Sequence, residues 1–302
     1  MPKLTHSAGT DPEFFLREKK SGKLRSAIDV VAGTKEDPNM LNSGAGLHHD
    51  NVAIEFSTQP QNDTASLINH IRDIFQDVRK ELPEDLELVN VPAANFDDDQ
   101  LQSEEARRFG CSPDYCAWKV EVNEPPVAED FTMRSCGGHI HVGYIEDSGN
   151  DFLVFPDGKI RTVRTMDLFH GTSSVLLDNS EDAIRRRKLY GKAGCHRPTD
   201  YGIEYRVLSN FWFKSPNLLM LMTSLTEDVL KLIREDKDEK IVEAIGGDVI
   251  QDTINNGDIK MANEIWTVSV SPLLSKDSKH YMAEALANIN NYNFSQEWQM
   301  EA

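Results

Sequence analysis

The hydrophobic pattern divides the chain into short extended runs and a few long helical ones. Residues 14–17 read as a strand, followed by the polar turn Lys-Lys-Ser-Gly-Lys and by Ser-Ala-Ile-Asp-Val-Val-Ala, so 8–32 is expected to form a hairpin. Residues 33–46 are rich in Gly, Asn, Asp and Pro and read as a loop, with 51–57 the next strand. Leu67, Ile68, Ile71, Ile74, Phe75 and Val78 recur at helical spacing, which predicts a helix over 65–82 with Thr64 as its N-cap and Pro83 as its stop. Residues 86–91 read as a strand, and 97–108 as a charged loop with a helical turn. A Gly-Cys-Ser-Pro-Asp-Tyr-Cys turn leads into another strand, an acidic Pro-Pro loop follows, and then comes Ser135–Tyr144, Ser-Cys-Gly-Gly-His-Ile-His-Val-Gly-Tyr. Beyond it, 148–159 reads as a polar insertion or flap, 163–177 as a helix, and 190–202 as a glycine-rich loop entering the strand of Glu204. Residues 216–234 form a strongly apolar helix whose Leu and Met stripe reads as core, as does Phe211-Trp212-Phe213; 240–302 alternates short helices with polar turns.

Composition narrows the class. A chain of 302 residues can bury a sizeable core, and 39% hydrophobic with 27% charged residues is ordinary globular usage. The net charge of −18 repels bare phosphate backbone, which argues against general nucleic-acid binding while leaving room for a local basic pocket. No apolar run is long enough to cross a bilayer, and the first residues lack a signal-peptide core, so a cytoplasmic protein is expected. Cys111 and Cys116 form a Cys-x4-Cys without a second pair, a weak zinc pattern; reduced thiols are the favoured reading of all four cysteines.

The candidate chemistry recurs at strand spacing. Residues two apart on a strand share a face, so His139 and His141 point the same way, behind Gly137 and Gly138, which permit a close approach or a bulge. The same spacing places Asp11 with Glu13 at a strand start, in Gly-Thr-Asp-Pro-Glu-Phe-Phe-Leu, and Glu204 with Arg206, in Tyr-Gly-Ile-Glu-Tyr-Arg. Asp50 and Glu55 lie in His-His-Asp-Asn-Val-Ala-Ile-Glu-Phe, where His48 and His49 belong equally well to a site or to a surface loop. If these strands are neighbours, one sheet face collects carboxylates, imidazoles and a guanidinium. Such a cluster repels itself unless cations sit in it, and oxygen donors with one imidazole suit Mg²⁺ or Mn²⁺. The alternative is a buried ion-pair network, a costly way to stabilise a core.

These motifs, in this order, resemble the glutamine synthetase and glutamate–cysteine ligase superfamily, and within it the phage-type COOH–NH2 ligases of type 2. The matching stretches, which include Gly-Gly-His-Ile-His-Val-Gly and Arg-Arg-x-x-Tyr-Gly-Lys-Ala-Gly-Cys-His-Arg, span 8–213. The resemblance implies an α+β fold: a curved antiparallel sheet, or half-barrel, with flanking helices, in one ligase domain over 1–302 with a helical part from 214. It implies ATP and Mg²⁺ (or Mn²⁺) as cofactors, phosphorylation of a carboxylate, and attack of an amine on the acyl phosphate. By residue, it implies Asp11, Glu13, Glu55, His139 and Glu204 as metal ligands, Arg206 and Arg197 as clamps on the transferred phosphate, and Arg187 (one of the run Arg185, Arg186 and Arg187) with Lys192 at the nucleotide. Asp50, Asp114 and His141 are weaker candidates at the substrate, His141 also as a partner orienting a ligand.

The chain departs from that pattern in places. Its first acid is Asp11 where glutamine synthetases have Glu, and the acidic motif starts at residue 11, so no counterpart of their small N-terminal domain and no ring assembly are expected, although an oligomer is possible. No ammonium-site signature is present, so the amine and the carboxylate are both open, each a small molecule or a peptide. Other outcomes on this fold are phosphoryl transfer to a guanidino group, a non-catalytic phage structural or host-interaction protein, and a metal hydrolase without ATP. If phage-encoded, the protein would work in the host cytoplasm. The stretches 148–159 and 190–201 are the expected lids.

Overall fold

The computed structural model describes residues 3–108, 114–126 and 130–300. Cys111, and with it the Cys-x4-Cys pattern, lies outside them; Cys116, Cys136 and Cys195 are buried free thiols. The fold is a curled antiparallel half-barrel sheet with flanking helices, as the resemblance implied.

One sheet has seven strands, in the order Glu121–Val122, Tyr115–Cys116, Cys195–Thr199, Gly202–Tyr205, Ile140–Gly143, Lys3–Thr10, Gln61–Asp63. Its strand Lys3–Thr10 alternates strictly, with Leu4, His6, Ala8 and Thr10 turned inward. Two of those inward positions are polar, which is why the hydrophobic pattern did not announce a strand before residue 8.

The chain then passes through Asp11 and the buried Pro12 into a second sheet. There Glu13–Glu18 pairs with Ala53–Ser57, which pairs with Gly46–Asp50, and Asn39–Met40 lies outermost. Leu24–Arg25 and Leu86–Val89 add to Glu13–Glu18. Phe14, Phe15 and Leu16 are all fully buried, so this strand is covered on both faces. Phe14 packs against Phe56, Phe75 and Phe213, whereas Phe15 packs edge-on against Phe96 in a separate small core.

The helix expected over 65–82 is Thr64–Glu81, capped by Asp63, whose carboxylate accepts from the Ser66 backbone N–H; Thr64 is its first residue, not its cap. The helix Pro216–Arg234 has the bounds expected of it and buries Leu218, Leu221, Leu225 and Val229. Pro156–Met166, a π-turn at Asp167–Gly171 and Thr172–Leu177 run on as one helical stretch. At the C-terminal end, Trp298 is fully buried and its indole N–H donates to the Phe213 carbonyl, 2.6 Å away.

Three expectations fail. Residues 26–32 form turns instead of a strand: Asp29 takes a left-handed φ of 67°, and Ala27 and Val31 are buried in the main hydrophobic core. The supposed flap 148–159 is a 3-10 turn, Asp151–Val154, leading into the Pro156–Met166 helix, with Leu153 fully buried and Asn150 held by Thr5 and Arg234. The supposed lid 190–201 contains the sheet strand Cys195–Thr199.

Candidate active site

Two acidic clusters lie on either side of Pro12. The first is built on a row that crosses four strands: Gly9 opposes His141, His141 opposes Glu204, and Glu204 opposes Arg197. Directly opposed residues share a face, so these side chains converge. Asp11 and His139 continue the pattern two residues along. His139 Nδ1 and His141 Nε2 lie 3.0 and 3.1 Å from the same oxygen, Asp11 Oδ1. Glu204 Oε1 lies 3.5 Å from His139 Nδ1 and 3.4 Å from Arg197 Nη1, and accepts a hydrogen bond from Arg206 Nη1. Donor atoms of Asp11, His141 and Glu204 all come within 4.8 Å of one another, the spacing of a cation's ligands.

The electrostatics follow from this company. Burial pushes the Asp11 carboxyl up, but the two imidazoles outweigh it and hold the group well below its usual range. Burial and Asp11 also push Glu204 up; His139, Arg206 and Arg197 bring it below its usual value. His139 is lowered by burial and by Arg206, which favours the neutral ring that a cation needs. His141 goes the other way, because Asp11 and Glu204 overcome its burial. The Tyr201 hydroxyl, on the turn before Gly202–Tyr205, meets His141 Nδ1 at 2.5 Å and fixes that ring's orientation.

The second cluster is also a row. His48 opposes Glu55, and Glu55 opposes Glu13, across three adjacent strands. Asp50, two residues beyond His48, faces the same way, and donor oxygens of Glu13, Asp50 and Glu55 come within 4.8 Å of one another. Glu13 Oε2 accepts the Gly137 backbone N–H at 2.7 Å. Burial and the charges of Asp50 and Glu55 push Glu13 up to about 8. Burial and two like charges both oppose ionisation of Glu13, and a divalent cation among the three carboxylates would relieve them.

Both glycines of the His-x-His motif are required by contact. A Cβ on Gly137 would stand 2.5 Å from His139 Nε2, and one on Gly138 would stand 2.7 Å from the Ser209 carbonyl and the Trp212 indole nitrogen. The cleft beside Glu13 and Asp50 is lined further by Asp114, Arg134, Arg186 and Arg206. Arg206 is 8% exposed and its Nε lies 3.7 Å from Asp114 Oδ2.

The basic residues do not all converge. Arg187 turns into the helical layer and donates to the Ser174 and Asp178 carbonyls. Arg186, its neighbour on helix Glu181–Leu189, is the one on the cleft wall, where it donates to the Val207 and Leu208 carbonyls. Arg185 pairs with Asp130 and Asp182 at the surface. Lys192 is exposed ahead of the Cys195–Thr199 strand and does not line the cleft. Sequence reasoning gave no role to Tyr201, although it opens the Tyr-Gly-Ile-Glu-Tyr-Arg motif.

Tyr205 anchors the Glu204 strand from behind. It lies between Glu204 and Arg206 and points away from the cleft, and its hydroxyl donates to Asp167 Oδ1 at 2.8 Å. Asp167 also accepts from Trp118 Nε1 at 2.6 Å, and burial pushes its carboxyl up to about 7.

The model of the phage phiEco32-like COOH.NH2 ligase-type 2 family matches residues 126–299, more than half of the chain, and the protein belongs to that family. No curated protein matches the sequence. Among solved structures, a bifunctional glutathione synthetase from Pasteurella multocida is similar at 10% identity and a TM-score of 0.45, over 95% of this chain and 52% of that one. The chain thus spans about half the length of that protein. Among the described residues, no helix is long and apolar enough to cross a membrane.

Proposed function

We propose that the protein is a single-domain, ATP- and Mg²⁺-dependent (or Mn²⁺-dependent) ligase that joins a carboxylate to an amine. ATP phosphorylates the carboxylate, the amine displaces phosphate from the acyl phosphate, and amide, ADP and phosphate are released. The observation that carries this reading is the pair of acidic clusters on either side of Pro12 with Arg206 beside them. Both donor sets fit hard divalent cations: three carboxylates in one, two carboxylates and an imidazole in the other.

In this reading Asp11, Glu204 and His141 with His139 hold one cation, and Glu13, Asp50 and Glu55 hold the other. When bound, the cations neutralise charge on the phosphates and polarise the carboxylate. Arg206 offers its planar fork to the transferred phosphoryl group, with Arg197 next to it. Glu204 holds both arginines in place through its Oε1. Asp114 faces the carboxylate substrate, and Arg186, on the cleft wall, takes the place at the nucleotide that the resemblance implied for Arg187. The chemistry is positioning plus charge stabilisation in a site that must exclude water, because an exposed acyl phosphate hydrolyses.

The test supplies Mg²⁺-ATP, pooled carboxylate metabolites and hydroxylamine. ADP release with a hydroxamate product, whose mass names the carboxylate, is the expected result. A phosphorylated product with no hydroxamate would instead indicate a kinase on this fold.

A further inference from the structure

His48 is the polar side chain that the proposed site leaves over. It is 4% exposed, and neither ring nitrogen makes a hydrogen bond to any described residue. Burying an imidazole in that state forfeits its hydration without replacing it, so its place calls for a partner. Its backbone register supplies one. His48 stands opposite Glu55 in the strand pair Gly46–Asp50 and Ala53–Ser57, and its Nε2 lies 3.3 Å from Glu55 Oε2.

Glu55 has Glu13 on its other flank and is itself 3% exposed. It is therefore a buried carboxylate with a second carboxyl group on one side and an imidazole on the other. Donor oxygens of Glu13, Asp50 and Glu55 close on one another, but the His48 ring stands outside that group. The neighbouring His49 faces the opposite side of the strand and pairs with Glu105 at 3.0 Å, so it does not compete for the role.

We infer that His48 is a positioning residue for the second cation site: its Nε2–H holds one Glu55 oxygen, which turns the other toward Glu13 and Asp50. With one Glu55 oxygen held from the His48 side at 3.3 Å, the carboxylate cannot rotate away from Glu13 and Asp50. Partners of this kind fix ligand orientation and raise affinity about 10–100-fold. The inference rests on reading the Glu13–Asp50–Glu55 group as a cation site.

Mn²⁺ binding to the full chain, followed by electron paramagnetic resonance in a Glu204→Gln background that disables the first cluster, tests it. His48→Leu should weaken the remaining site about 10-fold or more, and His48→Gln, which puts an amide N–H near the Nε2 position, should stay within about threefold of the parent. The cation-free His48→Leu protein should unfold no earlier than the parent, since it loses an unsatisfied polar group; a purely structural His48 would give the reverse. Should the Leu variant fail to fold, His48→Asn, whose shorter amide misses Glu55, should weaken binding where Gln does not. Equal Mn²⁺ affinity in all variants overturns the inference. So does a nitrogen coupling in the manganese spin-echo spectrum that vanishes in His48→Gln, because it would put the ring on the ion itself. A parent with no Mn²⁺ site at all would instead overturn the reading beneath it.

Discussion

Glu13 and Glu55 face each other directly across two antiparallel strands, with Asp50 beside them. If the group holds a cation, as proposed, this juxtaposition makes its binding a proton-linked event. Burial and the charges of Asp50 and Glu55 push Glu13 up to about 8, against a usual value of 4.5. Between those values the folded state binds more protons than the unfolded chain, so this group's contribution to stability falls as pH rises through the window. A divalent cation requires the ionised form and expels the proton. Mg²⁺ affinity should therefore rise by up to about tenfold per pH unit from pH 6 to 8 and level off above. Calorimetry in two buffers of different ionisation enthalpy should count close to one proton released at pH 7; no buffer dependence would show that Glu13 is already ionised.

Glu204 holds Arg197 and Arg206 and belongs to the first cluster, so its loss removes a proposed ligand and one anchor of two guanidinium groups at once. Glu204→Ala should reduce kcat by about 10³-fold or more while the circular dichroism spectrum is retained. Near-normal turnover would take Glu204 out of the chemistry.

Arg206→Lys keeps the charge but loses the planar fork. We expect a drop in kcat/KM of about 10–100-fold, or roughly 1.4–2.8 kcal/mol of transition-state stabilisation. A rate within about threefold of wild type would show that a point charge suffices there.

The two glycines of the motif should separate activity from stability. In Gly137→Ala the new methyl meets the His139 ring, so cation binding and turnover should fall about tenfold or more with little change in unfolding midpoint. In Gly138→Ala it meets the Ser209 carbonyl, part of the backbone, and stability should fall by about 1–3 kcal/mol. Urea unfolding alongside steady-state kinetics tells the two apart; equal effects on both measures would mean that the motif tolerates a general shift of the backbone.

Much of the site was legible because strand alternation is a local rule. His139 with His141, and Glu204 on its strand, are placed by spacing alone, and the sheet brings them together as expected. Asp11 and Glu13 obey the same alternation, yet they serve different clusters, because the chain changes sheets between them. That change is a matter of long-range pairing, which no local pattern carries. The arginine run is a second case. Which of Arg185, Arg186 and Arg187 faces the cleft depends on how their helix is rotated against the Val207 and Leu208 carbonyls. The β-branched run at 26–32 mimics a strand, but the left-handed turn at Asp29 and the packing of Ala27 and Val31 into the main core decide its shape.

Pro12 has no backbone N–H to give to a ladder, so the break between the sheets is written into the chain at that residue. The distance between the two charge centres is then set by one dipeptide step, a molecular ruler with a single graduation. Inserting one residue there would turn one of the two acids to the opposite face. Each half would keep most of its chemical groups, but the halves would no longer address the same substrate. Among relatives, length changes should therefore collect in the surface turns and avoid this step.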